Sequence, residues 1–183
     1  MNPMPGISQI LHLPQTDSTQ TVAHFLAEKG ASDRTLVWAD RQTAGRGRLE
    51  RKWASPKDGL YFSLVIRPSF SPQRLADLSL MTSRAAAAAL TQHAGIETLV
   101  KPPNDVLGIK KGKAKKICGI LIEASGGPQR LEWVAVGVGI NVNSTPPGLP
   151  DASSLKDLTG KYWDLTEVLR GFLKSFFRSY EDL

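Results

Sequence analysis

The 183-residue chain contains one cysteine, Cys118, which excludes an internal disulfide framework and a multi-cysteine zinc site. Histidine is almost as scarce. His12, His24 and His93 are scattered and show no HExxH-like ligand spacing. No apolar run approaches the ~18 residues of a membrane span. The segment Met1 to Pro14 has no basic start and carries prolines where a secretory signal would be apolar. A cytoplasmic protein with no membrane partner is therefore expected. With 41% hydrophobic and 22% charged residues, the composition is that of a globular protein. This length can bury a core without staples and suggests one domain.

The net charge of +6 is unevenly distributed. Arg41 to Lys52 carries five bases and one acid, and Lys101 to Lys116 carries six lysines and one acid. These segments contribute +4 and +5, leaving −3 for the rest of the chain. Both read as loops. Two basic loops on a slightly acidic body point to an anion site, with solvated surface loops and nucleic-acid binding as the other readings.

Periodicity predicts strands over Ile7–Leu13, Thr35–Asp40, Leu60–Arg67 and Thr98–Lys101, and a hairpin of Ile117–Glu123 with Leu131–Val138. Asp17 and Ser18 cap a helix through Lys29 that Gly30 ends. A second helix runs from Ser71 or Pro72 to about Gly95. The pattern Asp164-x-x-Glu167 opens a third, with Leu165, Val168, Leu169, Phe172, Leu173, Phe176 and Tyr180 on one face. Gln42 to Asp58 is a long loop, and Asn141 to Pro150 a second, proline-rich one. The expected fold class is α+β, a mixed central sheet with helices packed mainly on one face.

Familiar sites are excluded. Gly137-Val138-Gly139-Ile140-Asn141-Val142 lacks the third glycine of a dinucleotide fingerprint, and Gly108 to Lys113 has the wrong spacing for a Walker A loop. There is no G-x-S-x-G elbow. Cys118, mid-strand beside Gly119, reads as a small buried residue rather than a nucleophile. Three segments remain. Gly45-Arg46-Gly47-Arg48 through Arg51 and Trp53 combines backbone freedom, phosphate-binding guanidinium groups and a flat aromatic surface. Lys101-Pro102-Pro103-Asn104-Asp105 presents a lysine at a strand end, held extended by the following proline. Gly119 to Glu123, followed by Gly137 to Asn143, supplies apolar strands to floor a pocket, and glycines that leave room for a ligand.

In this order, with Asp17-Ser18-Thr19-Gln20, Gln42-Thr43-Ala44 and Lys116-Ile117-Cys118 beside them, the segments resemble the catalytic domain of the biotin–protein ligases. The resemblance covers nearly the whole chain. It implies a fold akin to class II aminoacyl-tRNA synthetases. It also implies activation of biotin by ATP to biotinyl-5′-AMP, with Mg²⁺, and transfer to a lysine of the biotin carboxyl carrier domain of a biotin-dependent carboxylase.

The resemblance further assigns Ser18, Thr19, Gln20 and Gln42 to biotin and its ureido ring. Arg46, Gly47 and Arg48 form the loop that closes over biotin and the adenylate. Lys101 binds the biotin carboxylate and, with Arg48, is expected to be catalytic. Arg51, Trp53, Asn104 and Asn141 are assigned to ATP, and Asp105 to the metal. The chain departs from the family in Pro102, where tryptophan is usual, and in Cys118, where alanine is usual. A single catalytic domain over residues 1–183 is expected, without an N-terminal helix-turn-helix or a C-terminal SH3-like domain. DNA is not an expected partner, and the pattern is compatible with a homodimer. The alternatives are a lipoate or octanoate ligase-type acyltransferase, whose R-R-x-S-G-G-G segment is missing, and a non-enzymatic cofactor-binding relative.

Overall fold

The computed structural model describes residues 3–183. Seven strands form one mixed sheet. They are β1 (Gln9–Leu13), β2 (Thr35–Ala39), β3 (Leu60–Ile66), β4 (Glu97–Lys101), β5 (Asp105–Lys110), β6 (Lys113–Gly126) and β7 (Leu131–Ile140), in the order β1-β2-β3-β7-β6-β5-β4. Only β1 and β2 pair in parallel. The central strands β3 and β7 are buried almost throughout, which is why they read as continuous apolar runs rather than alternating ones.

Four helices accompany the sheet: α1 (Thr19–Glu28), α2 (Leu75–Ala94), α3 (Leu155–Thr159) and α4 (Leu165–Tyr180). α2 and α4 cover one face. Leu78, Ala85, Ala86 and Leu90 of α2 meet Val168, Phe172 and Phe176 of α4 over Phe62, Leu64, Val136 and Val138. The alanine run of α2 supplies the close approach that its small side chains predict. Helix α4 begins where expected, with the Asp164 carboxylate accepting from the N–H groups of Thr166 and Glu167.

The other face is only partly covered. Ala23 and Ala27 of α1 pack on Val37, Val65, Trp133 and Ala135. The helices therefore lie mainly, but not solely, on one face, and α1 takes the other because its small side chains match a shallow surface. Beyond the end of α1 this second face stays open, and the cleft lies there.

The lysine-rich stretch from Lys101 to Lys116 departs from the expected loop. It holds the end of β4, all of β5 and the start of β6. Lys111 and Gly112, both at positive φ, turn the β5–β6 hairpin. Helix α3, capped by Ser154 and ended by Gly160, is also additional to the expected elements.

Candidate active site

A cleft of about 370 Å³ opens on the α1 side of the sheet. Its floor is built from the residues of β3, β6 and β7 that point away from the core, and apart from Leu121 they are small. Gly119 and Gly139 are cross-strand partners, and Gly137 lies on the same face. The Trp53 indole lies on this pair. A Cβ added at Gly119 would sit 2.7 Å from the ring, and one at Gly139 would sit 2.5 Å from it. Any larger side chain on either strand would lift the indole. Lys116 Nζ stands 5.2 Å from the Trp53 ring centroid.

At the α1 end the cleft is uncharged and polar. Ser18 caps the helix, its hydroxyl accepting from Gln20 N. Thr19 donates its N–H (2.8 Å) and hydroxyl (3.1 Å) to Gln42 Oε1, and Gln42 donates onward to Ser55. Ser63 of β3 donates to Gln20 Oε1 at 2.8 Å, and the Gln20 amide donates to Ala135 O. A Cβ at Gly137 would come within 2.6 Å of Gln20 Oε1, so that glycine makes room for the network. Each amide and hydroxyl keeps hydrogen-bonding capacity for a neutral polar ligand.

The remaining walls are cationic. Arg46, Arg48, Arg51, Lys52, Lys101 and Lys116 line the cleft, against Asp105 as the one carboxylate. Lys116 Nζ lies 2.6 Å from Asp105 Oδ1, and Arg46 pairs with Glu123 at 2.5 Å. Among the described residues no ion pair engages Lys101, which projects from the last position of β4 opposite Asp105. The cleft thus keeps an uncompensated cation beside its phosphate-sized cationic wall.

The segment from Gly45 to Trp53 is a small hairpin rather than a featureless loop. Arg46 pairs with Lys52, Gly47 N donates to Arg51 O, and Trp53 N donates to Gly45 O. Its tip, Arg48-Leu49-Glu50-Arg51, closes with Arg51 N donating to Arg48 O. Leu49 and Glu50 both have positive φ, at 53° and 59°. That is a turn favoured by Asn-Gly and strained for these residues. Arg48 Nη1 reaches Asn104 Oδ1 at 3.2 Å. Asn104 itself is tied to β6 through Ile120 by two hydrogen bonds.

The structure therefore brings together Ser18, Thr19, Gln20, Gln42, Arg46, Gly47, Arg48, Arg51, Trp53, Lys101, Asn104 and Asp105. Asn141 stands apart. It is buried, and its amide donates to Ser153 O rather than facing the cleft. Ser63 and Lys116 also belong to the cleft. Lys116 lay hidden in a charge run, and nothing in the sequence marks Ser63 apart from its place on an apolar strand. Cys118 points into the core, and burial, outweighing the nearby lysine, pushes its thiol up to about 12. It is expected to stay unreactive toward Ellman's reagent in the native protein and to react fully in denaturant. Rapid native labelling would contradict this burial.

The chain is similar to proteins of known activity. The chain is 40% identical over 171 residues to the bifunctional ligase/repressor BirA of Bacillus subtilis, spanning 90% of this chain and 51% of that relative. It is 36% identical to the biotin–[acetyl-CoA-carboxylase] ligase of Paracoccus denitrificans over 91% of this chain and 70% of the relative. The chain thus spans about half the length of the BirA relative it matches. The solved structure of the biotin protein ligase from Aquifex aeolicus in complex with biotin and ATP superposes with a TM-score of 0.81 at 37% identity. That match covers 96% of this chain and 72% of that one. The mixed sheet is accordingly the class II synthetase-like fold of those ligases. Residues 12–141, which include the end of β1, all of β2 to β7 and every cleft residue above, match the model of the biotin/lipoate A/B protein ligases, the family to which this chain belongs.

Proposed function

We propose that the 183-residue chain acts as one catalytic unit that activates biotin with ATP and passes the biotinyl group to a lysine. The observation that carries this reading is the division of one cleft into two chemistries. The uncharged network of Thr19, Gln20, Gln42 and Ser63 suits a cyclic urea, a neutral group that both donates and accepts. The tryptophan platform ringed by Arg48, Arg51, Lys101 and Lys116 suits a nucleotide. Lys101 lines the same cleft, opposite Asp105, and the Aquifex aeolicus ligase was solved with both biotin and ATP bound.

In the first step the biotin carboxylate attacks the α-phosphorus of ATP, the bond to the bridging oxygen breaks and pyrophosphate leaves. Lys101 holds the carboxylate and then the negative charge that builds on the phosphoryl oxygens. In the second step an amine attacks the acyl carbon, AMP departs with the bonding pair and the amine loses a proton. The hairpin covers the mixed anhydride and keeps water from it.

The fit to Mg²⁺ is specific in kind. No cluster of three or more His, Cys, Asp or Glu occurs among the described residues, and Asp105 is the only cleft carboxylate. That set fits an ion held mostly by phosphate oxygens and water, with Asp105 as its protein contact. When bound, it would supply charge neutralisation on the phosphates.

The acceptor in this reading is a biotin carboxyl carrier domain, as the name of the Paracoccus relative suggests. It assigns the ligase half of the BirA name only. No helix is long and apolar enough to cross a membrane among the described residues, and the reading places the reaction in the cytoplasm. The test is incubation with ATP, biotin and a purified carrier domain, followed by intact-mass measurement. One biotinyl group on the carrier, absent without ATP, is the expected result. An unmodified carrier beside a consumed ATP pool would contradict it.

Arg48 has a separable task. It bridges the hairpin tip to Asn104 at the β4–β5 turn, so it straps the hairpin over the cleft. Arg48→Gly is expected to form biotinyl-AMP and release it at least about tenfold faster, labelling bystander lysines. A variant that makes no adenylate would show that Arg48 acts earlier, in the first step.

A further inference from the structure

Glu123 stands outside every role assigned so far, yet it is the residue on which the hairpin rests. It lies on β6 opposite Ala135, on the α1 side of the sheet. Its Oε1 takes Arg46 at 2.5 Å, and its Oε2 faces His24 Nε2 of α1 at 3.2 Å. The His24 ring leans on Trp133, 4.9 Å between centroids, which fixes it from the other side. One carboxylate thus ties the base of the hairpin to the sheet and faces α1 without a hydrogen bond to it.

Among the described residues no other side-chain hydrogen bond holds the hairpin on that flank. Behind it lies a second hollow of about 580 Å³, between the hairpin and Leu121 and Glu123. Among the described residues the hairpin's side-chain hydrogen bonds to the sheet body are two, Arg46 to Glu123 on one flank and Arg48 to Asn104 on the other, beside the Trp53 indole that lies on Gly119 and Gly139. Arg46 is the strand partner of Lys52, one residue before Trp53, so its placement sets the approach of the indole to Gly119 and Gly139. The guanidinium of Arg46, at the edge of the cleft, is engaged by Glu123.

We propose that Glu123 is a positioning residue. Its carboxylate, seated beside His24, holds Arg46 to the sheet and so keeps the hairpin hinge at the distance that presents Trp53, Arg48 and Arg51 to the cleft. Arg46 acts through this clamp and not by touching the ligand. The effect on turnover rests on the biotin-activating reading, while the clamp itself does not.

The experiment uses Glu123→Gln, which keeps size and removes charge, together with Arg46→Ala, Glu123→Ala and their double variant. In the ligand-free full chain, trypsin cleavage within the hairpin is expected to rise about tenfold in Glu123→Gln, with the thermal midpoint within about 4 °C of the parent. In biotin-dependent pyrophosphate release, KM for biotin and for ATP is expected to rise about tenfold while kcat stays within about twofold, the signature of a misplaced binding element. The double variant is expected to match either single alanine variant, because both break one clamp. Unchanged cleavage in Glu123→Gln overturns the proposal. So does an Arg46→Ala defect that multiplies with that of Glu123→Ala, which would place Arg46 on the ligand. If the parent shows no biotin-dependent turnover, the ligase reading falls and the trypsin comparison still decides the clamp.

Discussion

Replacing Lys101 with alanine is expected to lower the rate of adenylate formation by about 10²-fold or more, about 2.7 kcal/mol of transition-state stabilisation. The magnitude follows from the position. Attack of a carboxylate on a phosphate brings like charges together, and the approach is tolerable only beside a cation that is not neutralised elsewhere. Lys116 is paired with Asp105 and Arg46 with Glu123, whereas Lys101, like Arg48, Arg51 and Lys52 of the hairpin, is engaged by no ion pair among the described residues, and it alone of these four projects from a strand of the sheet. The loss should fall on the adenylation rate at saturating biotin and ATP. The fold should survive, since the side chain is exposed at the end of β4. Single-turnover adenylation beside a melting curve separates the two effects. A Lys101→Ala protein with parental rates would remove the main support for this mechanism.

The second large effect is expected at Gly139. Its missing side chain leaves the space that Trp53 fills, and a Cβ there would lie 2.5 Å from the indole Nε1 and Cε2. Gly139→Val places a β-branched side chain in a strand, where the backbone accepts it, and aims it into the cleft rather than the core. The indole must move by more than a few tenths of an ångström, and a displacement approaching 1 Å in a positioned group costs about 10²-fold. We therefore expect kcat/KM for ATP to fall by about 10²-fold with secondary structure retained. Gly119→Ala, at 2.7 Å from the same ring, should show the weaker form of the defect. ATP dependence unchanged in Gly139→Val would mean that Trp53 is not the nucleotide's platform.

The parts of this site that could be read in advance are those whose chemistry is local. Ser18 caps α1 as its residue type requires, α4 shows its buried stripe and its Asp164 cap, and Lys101 ends a strand before two prolines. What escaped depends on pairing. Strand β5 is obscured because Val106 and Gly108 face the core while Leu107 and Ile109 face out, so no polar alternation marks it. The lysines around its turn also read as a solvated loop. The Lys116–Asp105 pair arises because β5 and β6 slip register between Val106 and Leu107, which no sequence pattern announces. Glu123 read as the close of an apolar strand, and its two neighbours lie far off in the chain, Arg46 of the hairpin 77 residues away and His24 on α1 farther still. Asn141 shows the opposite failure. The small residues around it suggest an open site, but the chain after β7 folds back and seals it against Ser153.

The most direct test of the central claim is pyrophosphate release from ATP, measured with biotin, lipoate or octanoate as the only acyl substrate. The division of the cleft predicts release with biotin alone, because Gln20, Gln42, Thr19 and Ser63 form a polar end suited to a urea rather than to an alkyl chain. Biotinyl-5′-AMP should accumulate in step with the pyrophosphate. Equal or faster release with lipoate or octanoate, or release that ignores the acyl substrate, would contradict it.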